Sequence, residues 1–316
     1  MLRAIAHFPI IPHLDFNVTI LGSNSAISDH GRHPTAQFIQ LHHSYFLIDC
    51  GEGTQQRMLQ YKVKWFAVNH IFISHLHGDH YFGLIGLLTT YNLLKRTQPL
   101  TIFGPPLLQQ IIQLQLDASG TKLNYELTFA ATSDDDFRLI FENEQTEVYS
   151  FPLKHKIPTT GFLVKEKPGE RKLNKSKLSQ YDIEKEDYKL LKQGIDITAK
   201  NGLSVKAADV TDAPHAPRKY AFCSDTIYNE DMLPYIADAD LIYHEATYLH
   251  ESEERAQETR HSTALQAAQI AQKANAKRLI IGHFSSRYHQ LSPLLEEAQL
   301  IFPNTELALE GTVFKL

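Results

Sequence analysis

Residues 74–80 of the chain read Ser74-His75-Leu76-His77-Gly78-Asp79-His80 and directly follow the apolar run Ile71-Phe72-Ile73. The segment places three imidazoles and one carboxylate within six residues. Imidazole nitrogen and carboxylate oxygen are ligands that suit zinc and similar first-row ions. Glycine lets the backbone turn sharply, so Gly78 allows the donors to converge. This stretch therefore predicts a metal-binding loop at the end of a strand.

Four later segments repeat the arrangement of an apolar run followed by a polar side chain. Donors projected from the ends of several strands can meet in one crevice. A single histidine after a strand is more often structural, so the inference depends on the joint occurrence. The four segments end at His155, at Asp225, at His244 with Glu245, and at His283.

These residues resemble a known superfamily. His-x-His-x-Asp-His is the signature of the metallo-β-lactamase fold, and His155, Asp225 and His283 match its remaining ligand positions in order. Four further segments resemble the ribonuclease Z family, the tRNA 3′-processing endonucleases: residues 49–55, 244–247, 261–263 and 282–288. The resemblance runs from about residue 16 to residue 288.

The resemblance implies an αββα sandwich with two zinc ions per chain. On the family pattern one ion is held by His75, His77 and His155, the other by Asp79, His80 and His283, and Asp225 bridges the two. Paired metal ions clamp the attacking and leaving oxygens of a phosphodiester and lower the pKa of water towards neutrality. Asp79 is expected to accept the proton of the attacking water. The products would be a 3′-hydroxyl on the tRNA and a 5′-phosphate on the trailer.

Two other residues are predicted to act beside the metals. His261 would stabilise the phosphorane or protonate the leaving 3′-oxygen, and Glu245 would orient it. The alternative for His261 is a helix N-terminal residue beside the cap Ser262. His244 is predicted to pack or to hydrogen-bond rather than to bind metal. Asp49 and Glu52 either order the metal loop from below or form a polar turn.

One charged segment, residues 165–200, interrupts the strand pattern. Its first part carries six cations against Glu166 and Glu170, and residues 184–194 look like a short helix that ends before Gly194. The family carries its protruding tRNA-binding arm here, although the Gly-Pro pair usual before Tyr188 is missing. The alternative is a solvated surface insertion. We expect the substrate-binding residues to be Ser285 and Arg287, next to a ligand, and Lys172 and Lys175 in the arm.

The remaining pattern predicts one α/β domain over residues 1–316, with two packed sheets and helices outside, a description that other layered α/β folds share. Strands are expected at 16–21, 37–41, 45–49, 70–74, 100–103, within 125–164, and at 220–224, 241–243 and 278–281. Helices are expected at 107–116, 263–274 and 292–300. Residues 81–96 are apolar nearly all round and predict a buried helix behind the metal loop.

The composition of the chain limits the classes of protein to which it can belong. The 316 residues are 43% hydrophobic with a net charge of −5, so bulk charge does not recruit RNA and local basic patches must do so. No apolar run is long enough for a membrane span, and residues 1–12 lack a signal-peptide core. A cytoplasmic location is expected, with Cys50 and Cys223 as free buried thiols. The family resemblance also implies precursor tRNA as substrate and a homodimer in which one subunit's arm serves the other's active site.

Two alternatives remain at this stage. One is another enzyme of the same fold, a small-ester phosphodiesterase or a thioester or lactam hydrolase. The other is a metal-bound RNA-binding protein without catalysis. Residues 244–247, residues 261–263 and the arm argue against the first alternative, and the complete set of ligands argues against the second.

Overall fold

The computed structural model describes residues 15–316, and the N-terminal segment discussed above, residues 1–12, lies outside the described residues. Two seven-stranded sheets dominate, with the orders β18-β1-β2-β3-β4-β5-β6 and β17-β16-β15-β14-β9-β8-β7. In chain order the strands are β1 (Phe16–Gly22), β2 (Ala36–Leu41), β3 (Ser44–Ile48), β4 (His70–Phe72), β5 (Leu100–Gly104), β6 (Leu127–Ala131), β7 (Arg138–Glu142), β8 (Thr146–Leu153), β9 (Thr159–Glu166), β10 (Lys172–Leu173), β11 (Ile197–Thr198), β12 (Ser204–Val205), β13 (Thr211–Asp212), β14 (Lys219–Cys223), β15 (Leu241–Glu245), β16 (Leu279–Gly282), β17 (Thr305–Leu307) and β18 (Val313–Lys315).

The helices lie outside the two sheets or in the arm. They are α1 (Thr54–Gln60), α2 (Gly78–Tyr81), α3 (Leu84–Leu93), α4 (Leu107–Ala118), α5 (Lys175–Leu178), α6 (Tyr188–Lys192), α7 (Ala207–Val210), α8 (Leu233–Ile236), α9 (Glu253–Thr259), α10 (Ala264–Lys273) and α11 (Ser292–Gln299). None of the helices within residues 15–316 has the length and apolar character needed to cross a membrane.

Three apolar clusters hold four layers together. Phe46 and Phe72 of the first sheet meet Phe162 and Phe222 of the second in a central core. A second cluster joins the first sheet to α3 and α4, and a third joins the second sheet to α10 and α11. Burial of each such side chain contributes about 1.5–3 kcal/mol. The layers run helix, sheet, sheet, helix, which confirms the predicted fold class.

Strand direction brings the polar strand ends to one edge. In the second sheet β14, β15 and β16 are mutually parallel, and their register sets Cys223 beside His244 and Glu245 beside Gly282. β8 runs in the same direction, because it is antiparallel to β9, which is antiparallel to β14. The loops after these strands therefore start from one edge and face the loop after β4.

The helix expected at residues 81–96 differs from its prediction. The chain breaks into α2 and α3 at Phe82 and Gly83, and only one face of α3 is buried. Leu93 is 76% exposed, so the expectation of a helix buried all round was wrong. The reason is that α3 lies in an outer layer, where only the face turned to the sheet is covered. The short strands β17 and β18 were not predicted from the sequence.

The arm has a small core of its own. Leu178, Leu191, Ile197, Val205 and Val210 are buried together. Two short antiparallel pairs, β10 with β13 and β11 with β12, close the segment, which therefore extends past residue 200 to β13. The expected short helix is α6, and the backbone beyond it at Gly194 has φ +81. The segment is thus a folded unit that protrudes between β9 and β14. Cys50 and Cys223 are free buried thiols, as predicted.

Candidate metal centre

The seven predicted metal ligands come together at the edge described above. The donor atoms of His75, His77, His155 and Asp225 all lie within 4.8 Å of one another. A second group with the same spacing consists of Asp79, His80 and His283. Four separate segments, those after β4, β8, β14 and β16, contribute these side chains, which agrees with the convergence expected from the sequence.

Asp225 stands between the two groups. Its Oδ2 lies 3.6 Å from His75 Nε2 and 3.7 Å from His155 Nε2. Its Oδ1 lies 3.4 Å from His80 Nε2 and 3.2 Å from His283 Nε2. Each carboxylate oxygen therefore faces a different set of histidines. This is the geometry of a bridging ligand.

The donor set fits two metal ions. His80 Nε2 and Asp225 Oδ1 are buried and have no hydrogen-bond partner among the described residues. Such atoms are costly to bury unless something coordinates them. Burial lowers the pKa of His75 well below its ordinary value, which keeps the ring in the neutral form that binds metal. Nitrogen and carboxylate donors at this spacing suit zinc-class ions.

The far ring nitrogens of the ligand histidines are also fixed. His80 Nδ1 lies 2.7 Å from Asp49 Oδ2, and His283 Nδ1 lies 2.9 Å from Thr247 Oγ1. Contacts of this kind set the tautomer and the orientation of a metal-binding imidazole. His155 Nδ1 lies 2.7 Å from a backbone carbonyl, that of Arg260.

The segment at residues 49–55 supports the metal loop. Asp49 is fully buried and accepts hydrogen bonds from the Ser74 backbone N–H at 2.8 Å and from the Ser74 hydroxyl at 3.0 Å. A Cβ added at Gly51 would lie 2.4 Å from the carbonyl oxygen of Asp79, so only glycine permits this approach. Glu52, in contrast, is exposed at the rim of the cavity.

His261 lies beside both ligand groups and is held by Glu245. Its Nδ1 lies 2.9 Å from Glu245 Oε1, and the ring lines the cavity. Burial opposes its charged form, but the Glu245 carboxylate outweighs this and raises the pKa of His261 to about 9. Glu245 is itself fixed by the Thr226 N–H and the Thr247 hydroxyl. His244 is buried, and its Nδ1 lies 2.7 Å from the backbone carbonyl oxygen of Glu245. His244 belongs to neither group of candidate ligands.

The metal centre opens into a cavity of about 550 Å³. Ser285 lines it, whereas Arg287 lies just outside, with its guanidinium 4.9 Å from the ring centroid of Tyr248. Lys172 and Lys175 sit in the arm and do not line this cavity. The structure therefore splits the predicted substrate-binding residues between the cavity mouth and the arm.

Some residues of the site could not be found from the sequence pattern. The Ala26 backbone N–H donates to Asp79 Oδ2 at 2.8 Å, and Thr247 orients His283. Phe82 is 62% exposed and lines the cavity next to the metal loop. Thr247 could have been suspected from the sequence, because it ends the His-Glu-Ala-Thr segment. Nothing in the sequence distinguishes Phe82 from the other apolar residues around it.

Comparison with known proteins agrees with this geometry. A family model described as "Anti-Pycsar protein Apyc1" matches residues 16–166. The metallo-β-lactamase fold protein YhfI from Bacillus subtilis superposes with a TM-score of 0.68 at 16% identity, over 96% of this chain and 100% of that one. The chain thus has the metallo-β-lactamase fold, with a cluster of residues that could hold metal ions at one edge.

Two further matches define the family. Human tRNase Z, short form (ELAC1), superposes with a TM-score of 0.68 at 28% identity, covering 94% of this chain and 98% of that one. Ribonuclease Z of Cytophaga hutchinsonii is 48% identical over 95% of this chain and 96% of its own length. The chain belongs to the ribonuclease Z family and is an endoribonuclease.

Proposed function

We propose that this endoribonuclease removes the 3′ trailer from precursor tRNA, leaving a 3′-hydroxyl on the tRNA and a 5′-phosphate on the trailer. The observation that carries the proposal is the position of Asp225, whose two oxygens face separate ligand sets. A pair of metal ions is the usual device for phosphodiester hydrolysis. Family membership supports an RNA substrate.

The metals we propose are two zinc ions per chain. His75, His77 and His155 would hold one, Asp79, His80 and His283 the other, with Asp225 shared. When bound, such ions supply Lewis-acid stabilisation of the phosphate oxygens and make water easier to deprotonate.

The protein's own groups position and move the protons. We assign to Asp79 the acceptance of a proton from the attacking water, and its Oδ2 is held for this by the Ala26 N–H at 2.8 Å. His261 keeps its proton near neutral pH because Glu245 raises its pKa to about 9. It can therefore donate to the 3′-oxygen as the P–O3′ bond breaks. Glu245 acts as a positioning residue through its contact with Nδ1 of His261.

We further propose that RNA is held by Ser285 at the cavity wall and, outside the cavity, by Arg287, Lys172 and Lys175. Because the two lysines lie in the arm and not at the cavity, a homodimer in which each arm serves the partner's active site agrees with their placement. Exposed apolar side chains on the outer helices, among them Leu59 and Leu93, are available for such an interface. Buried free thiols at Cys50 and Cys223 support a reducing, cytoplasmic location.

One assay tests the proposal. Purified protein reconstituted with zinc should cleave a precursor tRNA at the trailer junction and leave a ligatable 3′-hydroxyl, and metal analysis should give two ions per chain. Hydrolysis of bis-p-nitrophenyl phosphate serves as the reference reaction. Turnover of the small ester without cleavage of precursor tRNA would contradict the substrate assignment.

A further inference from the structure

A second cavity adjoins the metal centre on the far side of His261. It has a volume of about 430 Å³, and the His261 ring lines both this cavity and the metal-binding one. A strand of RNA that passed His261 on its way from the metal centre would enter this second cavity directly. Arg260, the neighbouring residue, lines this second cavity together with Tyr228 and Gln257.

The Arg260 side chain is the available cation of this cavity. It is exposed, and within residues 15–316 its guanidinium makes no hydrogen bond or ion pair. Arginines nearby are engaged: Arg255 bonds to Glu258 at 2.9 Å. The carboxylate that lines the cavity, Glu253, accepts a hydrogen bond from the Gln266 amide at 2.9 Å. An unpaired guanidinium at the wall of a cavity that adjoins the metal centre is suited to binding a phosphate group.

The backbone of Arg260 is held in an unfavourable conformation. Its φ is 60 and its ψ 48, the left-handed region that glycine or asparagine normally occupies after a helix. The conformation turns the Arg260 carbonyl onto His155 Nδ1 at 2.7 Å. Glycine would serve that backbone role with less strain. The backbone conformation therefore does not account for an arginine at position 260. A role for the side chain does.

We propose that Arg260 binds the RNA phosphate immediately 5′ to the scissile phosphate and so positions the tRNA end for cleavage. The inference rests on the proposed function. In the proposed function His261 lies beside the leaving 3′-oxygen, which belongs to the last nucleotide of the tRNA. The strand on the His261 side is therefore the tRNA side of the cut. The second cavity then receives the phosphate that joins this nucleotide to the one before it.

Arg260→Gly and Arg260→Gln test the proposal. Both should lower kcat/KM for precursor tRNA by about 10- to 100-fold, the range for loss of one charged hydrogen-bonding contact, chiefly through KM. Arg260→Lys should recover part of this. Turnover of bis-p-nitrophenyl phosphate, which has no upstream phosphate, should stay unchanged. The thermal midpoint of Arg260→Gly should not fall, because glycine relieves the strained φ. Arg255→Gln, on the same helix but outside both cavities, is the matched control.

Substrates with one neutral methylphosphonate locate the contact. When the neutral group replaces the phosphate immediately upstream of the cleavage site, wild type and Arg260→Gln should have equal kcat/KM. Placed one phosphate downstream, it should leave their difference intact. Equal kcat/KM of wild type and both variants on unmodified precursor tRNA would overturn the proposal, as would a methylphosphonate effect on the downstream side alone. If wild type itself fails to cleave precursor tRNA, the proposed function is wrong instead.

Discussion

Asp225 is the residue on which both halves of the site depend. It is 2% exposed, and its two oxygens point at separate pairs of histidines. Burial alone would favour the neutral acid, but the facing rings, His283 and His80 foremost, hold the pKa of Asp225 well below its ordinary value. The side chain is therefore an anion at neutral pH, which a bridging ligand must be.

Asp225→Asn should empty the site while leaving the fold intact. The amide keeps the shape but offers only one oxygen and no charge, so metal content should fall from the proposed two ions per chain to one or none. Cleavage should fall by about a thousandfold or more, as for loss of an essential group. Metal analysis and cleavage assays measure this, with the exposed Asp135→Asn as control. A variant that kept both metals and full activity would refute the bridging assignment.

Glu245→Gln tests the orientation of His261. Glutamine keeps the shape of the side chain but removes the charge that holds the His261 proton, and its single oxygen can accept from Thr226 or from Thr247 but not from both. We expect kcat to fall by about 10- to 100-fold, the usual scale for a contact of this kind, with KM and metal content unchanged. Steady-state kinetics on precursor tRNA separates kcat from KM. A rise in KM alone, or loss of metal, would show that Glu245 has a structural role instead.

Local and distant parts of the site differ in how far the sequence predicted them. The candidate ligands that the structure brings together were predicted because each group of them follows an apolar run, and strand ends are local features. The groups that orient them come from elsewhere in the chain: the partner of His283 is 36 residues away and that of His155 is 105 residues away. Which hydroxyl or carbonyl meets which ring is decided by sheet register and loop packing, and no local pattern records it.

At the scale of elements, the base of the arm is closed by one buried carboxylate. Glu166, the last residue of β9, is 1% exposed. It accepts hydrogen bonds from the backbone N–H and Nε of Arg218, at 2.9 and 2.8 Å, just before β14 begins. His42 Nε2 lies 3.0 Å from the same carboxylate, and His215 Nε2 lies 3.2 Å from it. Both ends of the insertion are thus fixed to the second sheet at one point.

Glu166→Gln should destabilise the fold by about 1.5–3 kcal/mol, because it replaces the charged acceptor of the hydrogen bonds from Arg218 with a neutral amide. Burial opposes ionisation of Glu166, but its bonds to Arg218 lower its pKa. The stabilisation is therefore complete above the ordinary glutamate pKa of about 4.3 and is lost as pH falls through the lower folded value. Denaturant unfolding at several pH values measures this.

A matched control for that variant lies on the neighbouring strand. Glu147 pairs with Lys165 at 3.2 Å but is partly exposed, so Glu147→Gln should cost less than about 1 kcal/mol. A difference between Glu166→Gln and wild type that stays constant down to strongly acidic pH would show that the carboxylate contributes through its shape alone.

At the scale of the whole molecule, the arm is a separable unit. Its buried residues contact one another and form a cluster distinct from the three that join the sheets and outer helices. Gly169 and Pro214 lie side by side at its base, where a Cβ added to Gly169 would sit 3.4 Å from Pro214 Cβ. Because the arm core reaches Val210, a deletion ending at residue 194 would leave Ile197 and Val205 exposed. A deletion that removes the whole arm core therefore has to join the chain at Gly169 and Pro214.

Replacement of residues 170–213 by a short glycine linker should selectively impair the binding of precursor tRNA. The deletion keeps Glu166, His215 and Arg218, so the catalytic domain should fold and bis-p-nitrophenyl phosphate should be hydrolysed at the wild-type rate. Loss of Lys172, Lys175 and the other arm cations should weaken precursor-tRNA affinity, most strongly at low salt, and flatten the dependence of affinity on salt. Titrations of both proteins from low to physiological ionic strength measure this. Unchanged tRNA affinity would show the arm to be an ordinary surface insertion, and loss of small-ester turnover as well would show that the catalytic domain needs it to fold.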